Sequence, residues 1–338
     1  MTKDVSRNYL DRQRRENWLG FFHPRRRKLG DRVQLVGSAR VDYVPYLEQL
    51  VPSPRGSFIF KPTKLSAIRL SGSTAFRAPS FYEAYLDLFV TSESANGAGS
   101  FSETARSDQG GDFRLKRERV VSFDLGYLSQ DFDLVNFEVT GYFLQVKDLI
   151  VLSETRPETL SSNGVLGLIP TSGAFGAAFA GFENQCLTYN SFGSEAGARI
   201  FPVEGVDVFA NYTFNYQKED RPSGCNAVAN QQTSKHKVNA GVQVRSKPGF
   251  DGELVFHYAS PQRWTERVAP TDGTTQLLNA TFDLPSYTLI NARLGYRFLK
   301  NAAEVSGTVF NLGGQRFQQH PFGQYLDRRF MGFFSYRF

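Results

Sequence analysis

Through much of the chain, apolar and polar positions alternate one for one. Val121, Phe123, Leu125 and Tyr127 are interleaved with Ser122, Asp124 and Gly126. Val206, Val208, Ala210, Tyr212, Phe214 and Tyr216 are interleaved with Asp207, Asn211, Thr213 and Asn215. Val238, Ala240, Val242 and Val244 alternate with Lys237, Asn239, Gln243 and Arg245, and Ile290, Ala292, Leu294, Tyr296 and Phe298 with Asn291, Arg293 and Arg297. A period of two gives each segment one apolar and one polar face, as a β-strand requires. The pattern predicts thirteen strands, at 15–23, 33–43, 53–61, 66–77, 118–128, 132–150, 191–201, 205–217, 235–246, 251–260, 286–298, 302–311 and 328–338.

The connections sharpen this picture. Leu299–Asn301, Lys247–Phe250, Pro202–Glu204, Ser129–Asp131 and Pro62–Leu65 are short. Leu312–Asp327, Pro261–Pro285, Lys218–Ser234, Val151–Asn190 and Ala78–Arg117 are long, and the two kinds alternate. Tight turns on one side and long loops on the other mark a transmembrane barrel, whose outer loops carry function. The last strand agrees. Counting back from Phe338, Tyr336, Phe334, Gly332 and Phe330 alternate with the polar Arg337, Ser335 and Arg329. A barrel strand spans the bilayer in roughly 9–11 tilted residues. This ending resembles the closing strand of bacterial outer-membrane proteins, and the resemblance makes Phe334, Tyr336 and Phe338 a signal for the barrel assembly machinery.

Composition narrows the alternatives. Apolar residues make up 41% of the 338, yet no run approaches the roughly 18 needed for a membrane helix. Phe (31) and Tyr (15) are abundant, which suits strands and interfacial aromatic belts. The net charge of +6 is scattered, and the run Arg25-Arg26-Arg27 reads as a solvated turn rather than a nucleic-acid patch. The amino terminus lacks the apolar core of a secretory signal. An odd strand count does not close an antiparallel barrel. The expected fold is therefore all-β: an antiparallel transmembrane β-barrel, incomplete, with a disordered or displaced segment over 1–14 and the C-terminal portion of a larger barrel over 15–338.

Several motifs, in order, resemble those of TonB-dependent outer-membrane receptors. Leu70–Tyr85 (LSGSTAFRAPSFYEAY) resembles the family's strand-to-loop box, with Phe76, Arg77, Ala78 and Pro79 at its centre. Arg40-Val41-Asp42-Tyr43 and Ser53-Pro54-Arg55 precede it. Leu115–Val120 (LKRERV), Leu125-Gly126-Tyr127, Val146–Ile150 (VKDLI), Asn311-Leu312 and Tyr336-Arg337-Phe338 follow. The resemblance implies about 22 strands around a plugged lumen, of which these would be the last thirteen, with roughly nine strands, the plug and the energy-coupling box upstream. It implies a Gram-negative outer-membrane location and energy-coupled uptake of a scarce nutrient such as a siderophore. The implied partners are outer-membrane lipids, the assembly machinery, a small-molecule ligand and, through the plug, the inner-membrane TonB complex. Haem is disfavoured, because Ser107–Arg114 replaces the Asn-Pro box of haem receptors and no histidine lies between Pro79 and Lys116. The alternative is a passive channel or membrane-anchoring barrel of the porin or autotransporter type.

The residue-level expectations follow from this frame. Arg77 and Pro79 either line a ligand path or fix how the strand leaves for its loop, as proline's restricted φ suffices to do. Phe81, Tyr82, Tyr85 and Phe89 are candidate ligand-side aromatics. Cys186 and Cys225 fall in adjacent outer loops and either form a disulfide in an oxidising compartment or remain free thiols. Gly173–Gly181 is either a lid or a flexible connector. Arg40, Arg69, Lys237, Arg245, Arg293, Arg297 and Arg337, set against Asp42, Asp124, Asp207, Glu253 and Glu304, predict either a mildly basic lumen that favours anionic ligands or acidic plug contacts, or, as the default, a solvated lumen with paired charges. The four histidines show no metal-ligand spacing, and no catalytic motif is present, so neither an enzyme nor a cofactor is expected.

Overall fold

A computed structural model describes residues 19–44, 47–80, 83–84, 87–93, 100–106, 115–152, 156–158, 177–179, 182–225, 227, 232–247, 249–268 and 278–338. Its main element is one 13-stranded antiparallel sheet in which sequential neighbours pair throughout. The wall strands are β1 (Leu19–Leu29), β2 (Val33–Val44), β3 (Gln49–Phe60), β4 (Ser66–Arg77), β5 (Glu118–Phe132), β6 (Val135–Lys147) and β7 (Thr188–Val203). They continue with β8 (Val206–Asp220), β9 (His236–Arg245), β10 (Phe250–Ala259), β11 (Tyr287–Phe298), β12 (Ala303–Phe310) and β13 (Arg329–Tyr336). Among the described residues β1 pairs only with β2 and β13 only with β12, so the sheet is not closed.

Register aligns the alternation across strands. Phe123, Phe143, Phe192 and Tyr216 lie in one row across β5 to β8. The Phe143 and Phe192 rings sit 5.0 Å apart. Toward the short turns, Phe250, Tyr296, Val305 and Phe334 form a second row. Large apolar side chains between them, such as Leu125, Leu254 and Leu294, are exposed on the same face. Aromatic rows bounding an apolar band are what a bilayer selects on the outside of a barrel. Eleven of the thirteen wall strands have ten residues or more, the length to cross it, while no described helix does.

The short turns rest on backbone that few residues tolerate. Between β7 and β8 the turn is Glu204-Gly205, with Gly205 at φ +82°. A Cβ there would lie 2.3 Å from the Arg245 carbonyl oxygen, while the Arg245 N–H donates to the Gly205 oxygen at 2.7 Å. Side-chain strain and backbone contact both require glycine at this corner.

Three readings of the sequence change. The Arg25–Arg27 run is not a turn. It lies within β1, opposite Gly37, Val36 and Leu35, and β1 ends at Leu29 rather than at 23. β3 begins at Gln49 rather than 53, leaving a brief connection at 45–48 on the long-loop side. The stretch 132–150 divides at Asp148, whose φ of +58° breaks the strand before a separate Ile150–Leu152 segment. The long connections also hold strands of their own. Ile150–Leu152 pairs with Phe182–Asn184, and Gln262–Val268 pairs with Leu278–Leu284.

Candidate functional site

The polar face of β6 to β9 and three long connections enclose an open cavity of about 1170 Å³. Strand alternation sends Tyr142 and Leu144 of β6, Tyr189 and Glu195 of β7, Asn215 of β8 and Lys237 of β9 to this face. The connections close the outer side with Glu183 to Cys186, Gln232 to Ser234, and Thr265, Glu266 and Asn279. Its volume is at or above the upper end of ordinary ligand pockets, roughly 300–1,000 Å³.

Two features set the shape of its floor. Gly193 lies opposite both Tyr142 and Asn215. A Cβ on Gly193 would come within 2.1 Å of the Tyr142 ring, so the ring lies over a position that only glycine leaves vacant. From there the Tyr142 hydroxyl donates to Asn215 Oδ1 at 3.2 Å. At the rim, Asn184 Nδ2 donates to the carbonyls of Lys116 and Asp148 at 2.9 and 2.7 Å, while its Oδ1 accepts the Lys116 N–H at 2.6 Å. These bonds fix one connection to the start of β5.

Cys186 and Cys225 are joined by a disulfide with Cα atoms 5.9 Å apart. It links the connection before β7 to the one after β8. Around it, Leu187, Tyr189 and Cys225 form a small buried cluster flanked by Val146, Leu149 and Ala227. Cys186 also lines the cavity, so the covalent link is part of its rim.

Among the strand-to-loop residues, Phe76 lies opposite Arg119 and Arg77 opposite Glu118. Arg77 Nε and Nη2 donate to the two Glu118 oxygens at 2.7 and 2.6 Å. Its Nη1 donates to both Glu83 oxygens, at 3.0 and 2.8 Å. Ser80 and Glu83 cap one another. The Ser80 N–H donates to Glu83 Oε2 at 2.7 Å, and the Glu83 N–H donates to Ser80 Oγ at 3.2 Å. Burial pushes the Glu83 carboxyl up, but the bonds from Arg77 and Ser80 outweigh it and hold the group below its ordinary range. Glu118 Oε1 also accepts the Ile150 N–H at 2.9 Å. Pro79 is buried, and Ala78 is half-buried beside it. Here the motif works as a clasp between two strand ends and a loop, and none of its residues lines the large cavity.

Phe81, Tyr82 and Tyr85 lie outside the described residues, as do Ser107–Arg114 and most of Gly173–Gly181. Phe89 falls in a loop strand, Asp87–Glu93. The closing-strand aromatics Phe334, Tyr336 and Phe338 are exposed.

The expected basic lumen is only partly present. Arg69 pairs with Asp124 at 3.1 Å, and Arg293 bridges Asp251 and Glu304, with Arg297 at 3.8 Å from Asp251. These groups lie toward the short turns, where Arg199, Arg245 and Arg293 line a second cavity of about 560 Å³. The lining of the large outer cavity includes Lys237, Glu183, Glu195 and Glu266. Alternation made its inner-facing residues legible, but their convergence depends on register between segments far apart in sequence. Tyr142 and Glu195 carried no local signal that set them apart.

The family model for the TonB dependent receptor-like β-barrel matches residues 2–312. Among curated proteins, none matches the sequence. Among solved structures, the siderophore receptor PirA from Acinetobacter baumannii aligns over 95% of this chain and 46% of its own, at 17% identity and a TM-score of 0.70. A ferric enterobactin receptor mutant (PfeA) from Pseudomonas aeruginosa, in complex with enterobactin, aligns over 93% and 44%, at 16% identity and a TM-score of 0.68. The copper transporter OprC aligns over 94% and 47%, at 15% identity and a TM-score of 0.63. The chain thus spans just under half the length of these structures.

Proposed function

The chain belongs to the TonB-dependent receptor β-barrel family, and on that footing we propose that it forms the ligand-binding wall of an outer-membrane receptor for energy-coupled nutrient uptake. Members of this family are transporters rather than enzymes. The thirteen strands are proposed as the C-terminal portion of a longer barrel, a reading supported by the open sheet and the coverage of under half in the structural relatives.

One observation carries the proposal. The same alternation that presents aromatic rows outward turns a cavity of about 1170 Å³ inward beneath the long connections. A wall that is apolar outside, polar inside and hollow at its outer end suits capture of a small solute from outside the cell. In the proposed cycle the ligand enters this cavity, and the TonB complex then draws on a plug to open the path. The partners are accordingly outer-membrane lipids, the barrel assembly machinery, the small-molecule ligand and the inner-membrane coupling complex. The location is the Gram-negative outer membrane.

The test is accumulation of radioiron-loaded chelates by cells producing the receptor, with and without dissipation of the proton-motive force. Uptake that collapses with the proton-motive force is expected. Entry that persists unchanged after dissipation overturns energy coupling and favours a passive channel.

A further inference from the structure

Across β5 to β9 the outward face changes character toward the long connections, and what it meets there follows from the outer-membrane location proposed above. Alternation sends Phe123 of β5, Phe143 of β6, Phe192 of β7 and Tyr216 of β8 outward. Beyond these rings the outward positions turn basic. Arg119 of β5 lies directly opposite Lys147 of β6. Lys218 of β8 is one outward step past Tyr216, and the Lys235 ammonium, just before β9, lies 5.9 Å from the centre of the Tyr216 ring. At the short-turn end of the same strands the outward positions include Tyr127, Phe137, Ile200, Val208 and Val244, and the basic character is gone.

The carboxylates described on this outer end are Asp148 and Asp220. Asp148 lies 3.3 Å from Arg119, and Asp220 lies 3.9 Å from Lys218 while its Oδ2 also accepts a bond from Asn190. Both pairs are long and open to solvent, so neither holds its cation firmly. Arg119 and Lys147 are like charges set directly across a strand pair, which is unfavourable unless an anion lies between them. Basic side chains beside an aromatic row extend past it on apolar stems and place their charge at the depth of lipid headgroups. Four strand gaps of about 4.8 Å make the belt about 19 Å across, wider than a single phosphate reaches.

We propose that Arg119, Lys147, Lys218 and Lys235 form a docking belt for an outer-leaflet lipid that carries more than one headgroup phosphate. The acyl chains of this lipid lie along the exposed rings of Phe123, Phe192 and Tyr216. Its phosphates take over the cations from Asp148 and Asp220, as charge-assisted bonds to phosphate allow. The lipid thereby ties the outer ends of β5 and β6 to those of β8 and β9 from outside. It crosses β7, whose outward residues at this level are Asn190 and Thr188.

The experiment measures binding of tritiated bisphosphoryl lipid A, and of the same lipid after phosphatase treatment, to receptor extracted from outer membranes into nonionic micelles containing EDTA. The bisphosphoryl form is expected to bind about tenfold or more tightly. The triple variant Lys147→Gln, Lys218→Gln, Lys235→Gln, checked for folding by heat-modifiable gel mobility, is expected to bring the two affinities within about twofold. Lys147→Gln alone is expected to lose about threefold, so the outcome does not hang on the triple variant folding. Lys247→Gln, on a short turn beside Glu204, is expected to leave the preference intact. Equal affinity for the two lipids overturns the proposal, as does a preference that the triple variant keeps. A preference that appears only when magnesium replaces EDTA also overturns it, because the carboxylates then hold the phosphate through the metal. Dimers that form in micelles without a phosphate preference overturn it too, and give the belt to a second copy of the chain. All of these outcomes leave the outer-membrane location standing. Recovery of the protein outside the outer-membrane fraction removes that location, and the proposal with it.

Discussion

Arg77 and Glu118 face each other at the outer ends of β4 and β5, joined by two parallel N–H···O bonds of 2.7 and 2.6 Å. Glu118 is 7% exposed, so its carboxylate oxygens have little water and rely on protein donors, Arg77 among them. Arg77 is itself largely exposed, which tempers the interaction through solvent screening. Arg77→Ala is expected to cost about 1–3 kcal/mol, between the roughly 0–1 of an exposed pair and the roughly 3–5 of a fully buried one. Arg77→Lys recovers only part, because an ammonium cannot reproduce the fork. Urea unfolding in detergent, followed by heat-modifiable mobility, checks the order wild type, Lys, Ala.

Acid is expected to loosen the same clasp. The Glu83 carboxyl is held below its ordinary value of 4.5 in the folded chain. A depressed carboxylate contributes stability above its unfolded pKa and loses it as pH falls through the folded one. The Ser80, Glu83 and Ala84 amides should therefore become faster in hydrogen exchange only below about pH 4.5, and Glu83→Gln should remove that pH dependence. Protection of these three amides that does not change between pH 6 and pH 3, beyond the intrinsic chemical rate, would contradict this.

The disulfide links residues 39 apart in sequence. Closing a loop of this size stabilises a fold by about 2–4 kcal/mol. Alkylation is expected to label no thiol without reductant and two after reduction. The double variant Cys186→Ser, Cys225→Ser should lower the urea midpoint and weaken ligand binding more than it alters the wall. Two freely alkylated thiols in the folded protein would contradict the link.

The wall was the most legible part of the molecule in the sequence. In β8 every second residue from Val206 to Tyr216 is apolar, and in β11 every second residue from Ile290 to Phe298. Face and span follow directly from the residue order, even though Phe209 and Leu289 interrupt the polar faces. β1 was harder, because Arg25-Arg26-Arg27-Lys28 masks its alternation. Long basic side chains near a strand end keep their charge in water while their stems cover apolar surface, so a charged run there is compatible with a strand. The Arg77 clasp was legible as a motif but not as a clasp, since Glu118 lies 41 residues away. The cavity was less legible still. Which inward residues meet depends on register across β6 to β9, and the outer hairpin Gln262–Val268 with Leu278–Leu284 closes it from yet another segment.

Register also predicts an asymmetry between neighbouring residues. Leu294 is 76% exposed on the apolar face, and Asn291 points to the other. Leu294→Arg is expected to destabilise the barrel by about 2–4 kcal/mol if it lies near the bilayer midplane. Asn291→Arg, on the polar face, should cost far less. Comparing urea midpoints of the two variants in lipid vesicles gives the answer.

The central claim is that this sheet stands in a bilayer with its aromatic face to lipid and its cavity face to water. Single fluorophores placed in turn at 289 to 296 along β11, read by quenching from brominated acyl chains, test it most directly. Quenching at Ile290, Ala292, Leu294 and Tyr296, with little at Leu289, Asn291, Arg293 and Gly295, is the expected result. Uniform quenching along the strand, or none at any position, would contradict it.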